Sequence, residues 1–270
     1  MWTAAAATVL TVTAVAVPAT TASAAPSPSS AKPTVVLVHG AWADGSSWNS
    51  VITDLENEGY PVVAPPDPLR GVSSDAANLA DFLKTIKGPI VLAGHSYAGM
   101  VITNAALGNR NVKALVYADA YIPDQGQSVT SLTAAKPGSA LAVADPTTVF
   151  NEVPFPGAPA GVADLYLKPR LVRTAFAPDV SAVRQNQLIA TQRPVAASAL
   201  MEKSGVPAWK TIPSWALIGR QDKLIPPAEQ QVMAKHAGSH VRLINSSHVS
   251  PVSHPQAVAS LINTAAQATR

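Results

Sequence analysis

Three residues in this chain each follow a stretch that reads as a strand, and together they carry the groups that acyl transfer requires. Ser96 lies in Gly94-His95-Ser96-Tyr97-Ala98-Gly99, directly after Pro89-Ile90-Val91-Leu92-Ala93. Asp222 lies in Gly219-Arg220-Gln221-Asp222-Lys223, after the run 214–218, and His248 lies in Ser246-Ser247-His248-Val249, after the run 241–244. A serine hydroxyl is a weak nucleophile near neutral pH and needs a base beside it. A histidine base in turn needs a carboxylate to hold its tautomer. The chemistry also needs two backbone N–H donors aimed at the developing oxyanion. The first long apolar run ends in His39-Gly40-Ala41-Trp42, where a glycine lets the backbone approach a substrate closely.

These residues must be positioned by strands and helices, and the hydrophobic pattern supplies them. Thr34–Val38 is a continuous apolar run rich in β-branched residues, as expected for a strand buried on both faces. Ser47 to Glu58 reads as a helix ending at Gly59, Pro61 to Ala64 as a short strand and Ser74 to Ile86 as a helix. Strands at Ile90 to Ala93 and Val112 to Ala118 flank a helix at Met100 to Leu107. The alternation resumes with a strand at Ser214 to Ile218, a helix at Pro227 to Ala237, a strand at Val241 to Ile244 and a helix at Pro255 to Ala268. Such alternation predicts an α/β fold with a parallel sheet. A serine at a strand-to-helix turn is forced into a strained conformation that lifts its oxygen clear of the sheet. Its neighbours at minus two and plus two must then be small, and here they are Gly94 and Ala98. The order Ser96, Asp222, His248 is the nucleophile–acid–base order such an elbow uses.

Pro123 to Lys210 breaks the rhythm. It is rich in Pro, Ala and Gly, with short helices predicted around Val162 to Leu167, Lys168 to Phe176 and Ser181 to Thr191. Its Phe150, Phe155, Tyr166, Leu167 and Phe176 favour an ordered cap over a linker. A cap at the carboxyl ends of the strands would enclose a ligand.

The segments Val35 to Trp48, Pro89 to Gly99, Val112 to Pro123 and Ile212 to Ile262 together resemble the α/β-hydrolase superfamily. The similarity is to the branch of plant methyl esterases, hydroxynitrile lyases and their bacterial serine-esterase relatives. The resemblance implies a mostly parallel central sheet flanked by helices, with a helical cap inserted after the sixth family strand. It divides the chain into a core over 34–122 and 211–270 and a cap over 123–210. It implies Ser96 as nucleophile, His248 as base and then acid, Asp222 as the partner of His248, and the N–H groups of Ala41 and Tyr97 as oxyanion donors. It implies no cofactor and no metal, and a small-molecule ester as substrate. His39, Gly40, Trp42, Tyr121, Phe155 and Tyr166 are the candidate pocket residues, and Trp48 stands with Trp42 as a candidate for the pocket entrance.

Several positions admit a second reading. Asp119, just after the strand at 112–118, is the rival acid, or it caps a loop or lines the pocket. His236, His240 and His254 are rival bases with structural or solvated roles as their simpler reading, and His95 is expected to point into the fold. Asp67, in Pro65-Pro66-Asp67-Pro68, reads as a turn residue. Relatives that cleave cyanohydrins carry threonine where this chain has Gly40 and lysine where it has Val249, which directs the reading to ester hydrolysis. A serine rather than aspartate at position 96 argues against dehalogenase and epoxide-hydrolase chemistry. Perhydrolase or carbon–carbon hydrolase chemistry, a lyase-like activity and a non-catalytic ligand-binding homologue remain open.

Ala4 to Val17 is an apolar stretch followed by Ala22-Ser23-Ala24, the pattern of a secretory leader with its cleavage site, although no Lys or Arg precedes it. The expectation is a signal peptide over 1–24, a flexible Pro/Ser linker over 25–33, and a secreted product with no stable membrane association after cleavage. Over 270 residues, 47% are hydrophobic and 13% charged, which indicates a buried core rather than disorder. The net charge of +3 comes with no basic cluster, which argues against a nucleic-acid partner. With 0 cysteines there is no disulfide, thiol catalysis or cysteine-bound metal. No His/Asp pairing on one element suggests a metal site, and nothing in the sequence assigns an oligomeric state.

Overall fold

Val35, Val36, Leu37 and Val38 are all sealed from solvent, and for that reason the run carries no polar alternation. The computed structural model describes residues 1–8, 11 and 32–269. In chain order the first half contains β1 (Thr34–Val38), α1 (Asn49–Asn57), β2 (Val62–Val63), α2 (Val72–Lys84), β3 (Ile90–His95), α3 (Ala98–Ala105) and β4 (Val112–Ala118). An insertion follows with α4 (Val129–Thr133), β5 (Phe150–Val153), β6 (Asp164–Leu167), α5 (Pro169–Leu171), α6 (Ala182–Thr191), β7 (Val195–Ala196) and α7 (Ala197–Met201). The chain then completes its frame with β8 (Ser214–Gly219), α8 (Pro227–His236), β9 (His240–Ile244), α9 (Ser250–Ser253) and α10 (Pro255–Ala268). Residues 1–8 and 11 form no helix or strand. The rest of the expected leader and most of the linker lie outside the described residues.

Six strands pair in the order β2-β1-β3-β4-β8-β9, and every pairing is parallel. Alternate residues of each strand serve opposite faces. On one face Val35, Leu37, Val91, Ala93, Val116 and Leu217 pack against Val51 and Leu55 of α1 and Val258, Leu261 and Ile262 of α10. On the other, Val36, Val38, Leu92, Leu115 and Ala216 pack with α2, α3 and α8 and with the insertion. Burying an aliphatic side chain of this size stabilises the fold by about 1.5–3 kcal/mol. Trp48 belongs to the first of these clusters and is fully buried there, far from the role at a pocket entrance that the sequence suggested.

The chain runs from β1 outward to β2, then crosses back to place β3 on the other side of β1. The loops after β1 and β3 therefore diverge at the carboxyl ends of neighbouring strands, the position at which open α/β sheets hold ligands. The insertion leaves after β4 and is a mixed cap rather than a helical one. Its β5, β6 and β7 form a three-stranded antiparallel sheet. The stretch around Val162 to Leu167, predicted helical, is largely β6. Its edges are satisfied by Phe150–Val153 on one side and Val195 on the other, partners too distant in sequence for local periodicity to reveal.

Candidate active site

Ser96 occupies the turn between β3 and α3 with φ +55, a left-handed backbone that a non-glycine residue rarely adopts. The surrounding atoms hold it there. Its carbonyl accepts the Gly99 N–H at 3.0 Å and the Tyr121 N–H at 3.3 Å. A Cβ on Gly94 would meet the Ala98 carbonyl oxygen at 2.9 Å, so β3 and α3 touch through backbone and Ala98 is accommodated. The tightest glycine is Gly99, where a Cβ would stand 2.0 Å from the Tyr121 oxygen. Nothing local in the sequence marks Gly99 as the tightest of these positions, because its contact is with Tyr121, on the loop after β4.

His248 lies on the loop after β9, shut off from solvent, with Nε2 2.8 Å from Ser96 Oγ and Nδ1 2.8 Å from Asp222 Oδ2. A carboxylate accepts, so the Nδ1 proton points to Asp222 and the Nε2 lone pair to the Ser96 hydroxyl. Asp222 also accepts the N–H groups of Leu224 at 2.8 Å and Ile225 at 3.0 Å, and the Gln230 amide at 2.7 Å. Burial alone would push the His248 pKa down. The Asp222 carboxylate that it contacts and the nearby Asp119 outweigh burial, and the pKa is raised above its ordinary 6.5.

The His248 loop is held from three sides. His95 meets the His248 carbonyl through Nε2 at 2.8 Å, and burial together with the neighbouring His248 takes the His95 pKa down to about 3, so its ring is neutral and that nitrogen donates. Asp179, from the cap, accepts the Ser247 N–H at 2.8 Å. The Phe176 ring packs on the imidazole with centroids 5.5 Å apart. Asp179 and Phe176 had no sequence signal, because their contact with this loop exists only once the cap has folded over it.

Ala41 and Tyr97 line the same cavity as Ser96. Gly40 makes this possible: a Cβ there would lie 2.7 Å from Ser96 Cβ and 3.2 Å from the Tyr97 nitrogen. His39 works from behind. Its Nε2 accepts the Asp67 N–H at 3.0 Å, which puts the proton on Nδ1, and Nδ1 donates to the Gly40 carbonyl at 3.0 Å. Burial lowers the His39 pKa and keeps that arrangement neutral. Asp67 is a turn residue as expected, its Oδ1 accepting the Leu69 N–H at 3.3 Å, but the turn is buried and its backbone N–H supports His39. Trp42 has φ +60, gives its N–H to the Arg193 carbonyl at 3.0 Å and its indole Nε1–H to the Leu165 carbonyl at 2.9 Å, and stacks on Phe150 at 5.5 Å. The Tyr97 hydroxyl donates to Asp75 on α2 at 2.9 Å.

A cavity of about 480 Å³ opens above Ser96. The core gives it Ala41, Trp42, Tyr97, Tyr121, Leu224 and Ile225; the cap gives it residues such as Val129, Leu141, Phe150, Leu165 and Leu200. Glu152 is the one charged side chain among the described residues on its wall. Tyr121 lines it with its hydroxyl bonded to Thr133 at 2.7 Å, and Trp42 lines it as expected. Four expected pocket residues lie elsewhere. His39 and Gly40 sit beneath the loop they shape. Tyr166 projects from the face of β6 opposite Leu165, since neighbouring strand residues point to opposite sides. Phe155 lies under the Arg70 guanidinium, 4.8 Å from its ring centroid.

Asp119 does not reach the imidazole as the acid; its two oxygens accept the Gly219 and Ser250 N–H groups. His236 pairs with Asp124, His240 stacks on Trp215 and His254 bonds Ser253, so none of the three is at the serine. Among the described residues no cluster of three or more His, Asp or Glu could hold a metal ion, and no helix is long and apolar enough to cross a membrane.

Comparison with known proteins gives concordant results. The profile described as "Alpha/beta hydrolase family" matches residues 35–261. A protein named as a carbendazim hydrolyzing esterase, from Nocardioides sp. (strain SG-4G), is 33% identical over 112 residues, covering 36% of this chain and 46% of that protein. A probable hydrolase from Phoma sp. is 31% identical over 122 residues, covering 40% of this chain and 50% of that protein. The chain thus spans about half the length of the curated relatives it matches. Among solved structures, an extracellular α/β-hydrolase from a Paenibacillus species superposes with a TM-score of 0.69 at 22% identity, over 86% of this chain and 98% of that one. Polyneuridine aldehyde esterase superposes with a TM-score of 0.73 at 19% identity, over 86% of this chain and 98% of that one.

Proposed function

The chain belongs to the alpha/beta hydrolase family, and from that premise we propose that it is a serine hydrolase cleaving carboxylic esters of small to medium hydrophobic substrates. The observation that carries the reading is His248 bridging Ser96 and Asp222 at 2.8 Å on each side, beneath an apolar cavity. In the proposed reaction, Ser96 Oγ attacks the ester carbonyl as its proton passes to His248 Nε2. The N–H groups of Ala41 and Tyr97 hold the oxyanion. Collapse of the tetrahedral adduct expels the alcohol, which takes the proton from His248. Water then attacks the acyl carbon, gives a proton to His248, and the carboxylic acid departs as Ser96 regains its hydrogen. The apolar wall suits an uncharged acyl or alcohol group, and Glu152 disfavours an anionic one. The carbendazim hydrolyzing esterase supports hydrolysis as the reaction class. The leader-like start over 1–24 supports export, which intact-mass measurement of protein from the culture medium tests: a product beginning near Ala25 supports it and a full-length cytoplasmic product overturns it.

Labelling with a fluorophosphonate probe, wild type beside Ser96→Ala, tests the reaction class, followed by a chain-length panel of neutral chromogenic esters. Labelling and turnover that both vanish in Ser96→Ala support the proposal. A folded wild type that neither labels nor turns over any ester of the panel would be a ligand-binding protein instead.

A further inference from the structure

Asp119 stands one residue beyond β4, between the strand that delivers Ser96 and the strand that delivers Asp222. It is fully buried, and its two oxygens have separate tasks. Oδ1 accepts the Gly219 N–H at 2.7 Å and Oδ2 accepts the Ser250 N–H at 3.0 Å. Gly219 closes β8 and leads directly into the turn that carries Asp222, while Ser250 follows His248 by two positions. One carboxylate thus fastens the acid loop and the base loop together. These loops also touch: a Cβ on Gly219 would meet the Ser247 oxygen at 2.6 Å and the Ser246 oxygen at 2.7 Å. Asp119 is itself fixed, with its N–H on the Leu217 carbonyl at 2.9 Å and a left-handed φ of +44, uncommon outside glycine.

We infer that Asp119 is a positioning residue: its carboxylate holds the two loops in the register at which His248 spans Asp222 and Ser96, and its charge supports the imidazolium formed when Ser96 gives up its proton. The inference rests on the serine-hydrolase reading above. Two N–H donors on two oxygens suit a carboxylate. An amide in the same place would set its NH2 group against one of those donors. The ionisable groups around the imidazole are Asp222 from the β8 loop, Asp119 from the end of β4, His95 from β3 and, through Ser247, Asp179 from the cap. Tyr121 in turn feels the charges of Asp222 and Glu229. Burial and the neighbouring Asp222 raise Asp119 to about 7 against the opposing pull of His248 and the Ser250 and Gly219 hydrogen bonds, and a charged imidazolium favours the Asp119 carboxylate.

The experiment is Asp119→Asn, assayed on a neutral chromogenic ester across pH. The expected result is a kcat lower by roughly 100-fold from misplacement of the base, with KM within about twofold because Asp119 is absent from the cavity wall. The acid limb of kcat/KM should also move to lower pH, because one of the charges raising His248 is gone. An unchanged kcat, or a fall in kcat with the acid limb unmoved, overturns the inference. If the Asn variant does not fold, the wild type provides the test through the amide resonances of Gly219 and Ser250. Sharing one carboxylate, they should titrate together with a common midpoint; separate midpoints or flat curves overturn the inference. Fluorophosphonate labelling of the wild type keeps the two readings apart, since its failure removes the hydrolase reading while the amide titration still reports the clamp.

Discussion

Gly40 lies against Ser96 so closely that a methyl group added to it would stand 2.7 Å from the Ser96 Cβ and 2.6 Å from the His95 oxygen. Bare backbone at position 40 is what sets the spacing between the loop after β1 and the elbow. Gly40→Ala must therefore push Ala41 away from the site. The expected cost is the loss of one oxyanion donor, roughly 10²–10³ in kcat, with a smaller change in KM. Steady-state kinetics on a short neutral ester reads the effect, and a kcat equal to wild type would show that Ala41 does not serve as a donor.

Gly99 is the more demanding glycine for stability. Its added Cβ would fall 2.0 Å from a backbone oxygen of Tyr121, which cannot rotate away as a side chain could. Gly99→Ala should destabilise the fold by about 1–3 kcal/mol or more. Ala98→Gly, which only loosens the first turn of α3, should cost about 1 kcal/mol. Thermal melting of the two variants compares them directly, and equal melting temperatures would contradict the packing described.

The pH dependence follows from His248. As a base it must be neutral, and Asp222 and Asp119 raise its pKa above 6.5. Activity should rise with pH, and the midpoint of the acid limb of kcat/KM should lie above that value. A pH–rate profile with a midpoint below 6.5 would mean that burial, not the carboxylates, dominates at the imidazole.

Under the proposed ester hydrolysis, the cap wall is where an acyl chain would be measured. Ala197, at the start of α7, borders the cavity, and Ala197→Phe would fill part of its 480 Å³. Octanoate esters should lose about tenfold or more in kcat/KM, while acetate esters stay within about twofold. An equal loss on both would place the acyl chain elsewhere.

The core was legible because its strands are buried on both faces, so Thr34–Val38 and Ile90–Ala93 announce themselves as unbroken apolar runs. Ser96, Asp222 and His248 could be read as neighbours because each follows a predicted strand, and parallel strands deliver their carboxyl ends to one edge; the strand before His248, an edge strand carrying Arg242, is the least apolar of the three. The cap was less legible. β6 pairs with Phe150–Val153 and with Val195, and those partners decided strand over helix for a stretch whose local sequence permits either. Once β6 was a strand, its alternation turned Leu165 inward and Tyr166 outward, against the expectation that an aromatic residue would line the pocket. Asp119 was visible as an acid near the site, but which N–H groups it serves depends on loops more than 90 residues downstream in the chain.

Trp42 is one of the residues that tie the core to the cap. It directly follows Ala41, yet its N–H and its indole both end on cap carbonyls, those of Arg193 and Leu165. The cap and the loop proposed to hold the oxyanion are therefore pinned together at this residue. Lifting the roof far enough to break those two bonds also releases the backbone that Ala41 depends on. An opened chamber, flooded with water, would be one in which the proposed Ala41 donor is no longer held in place.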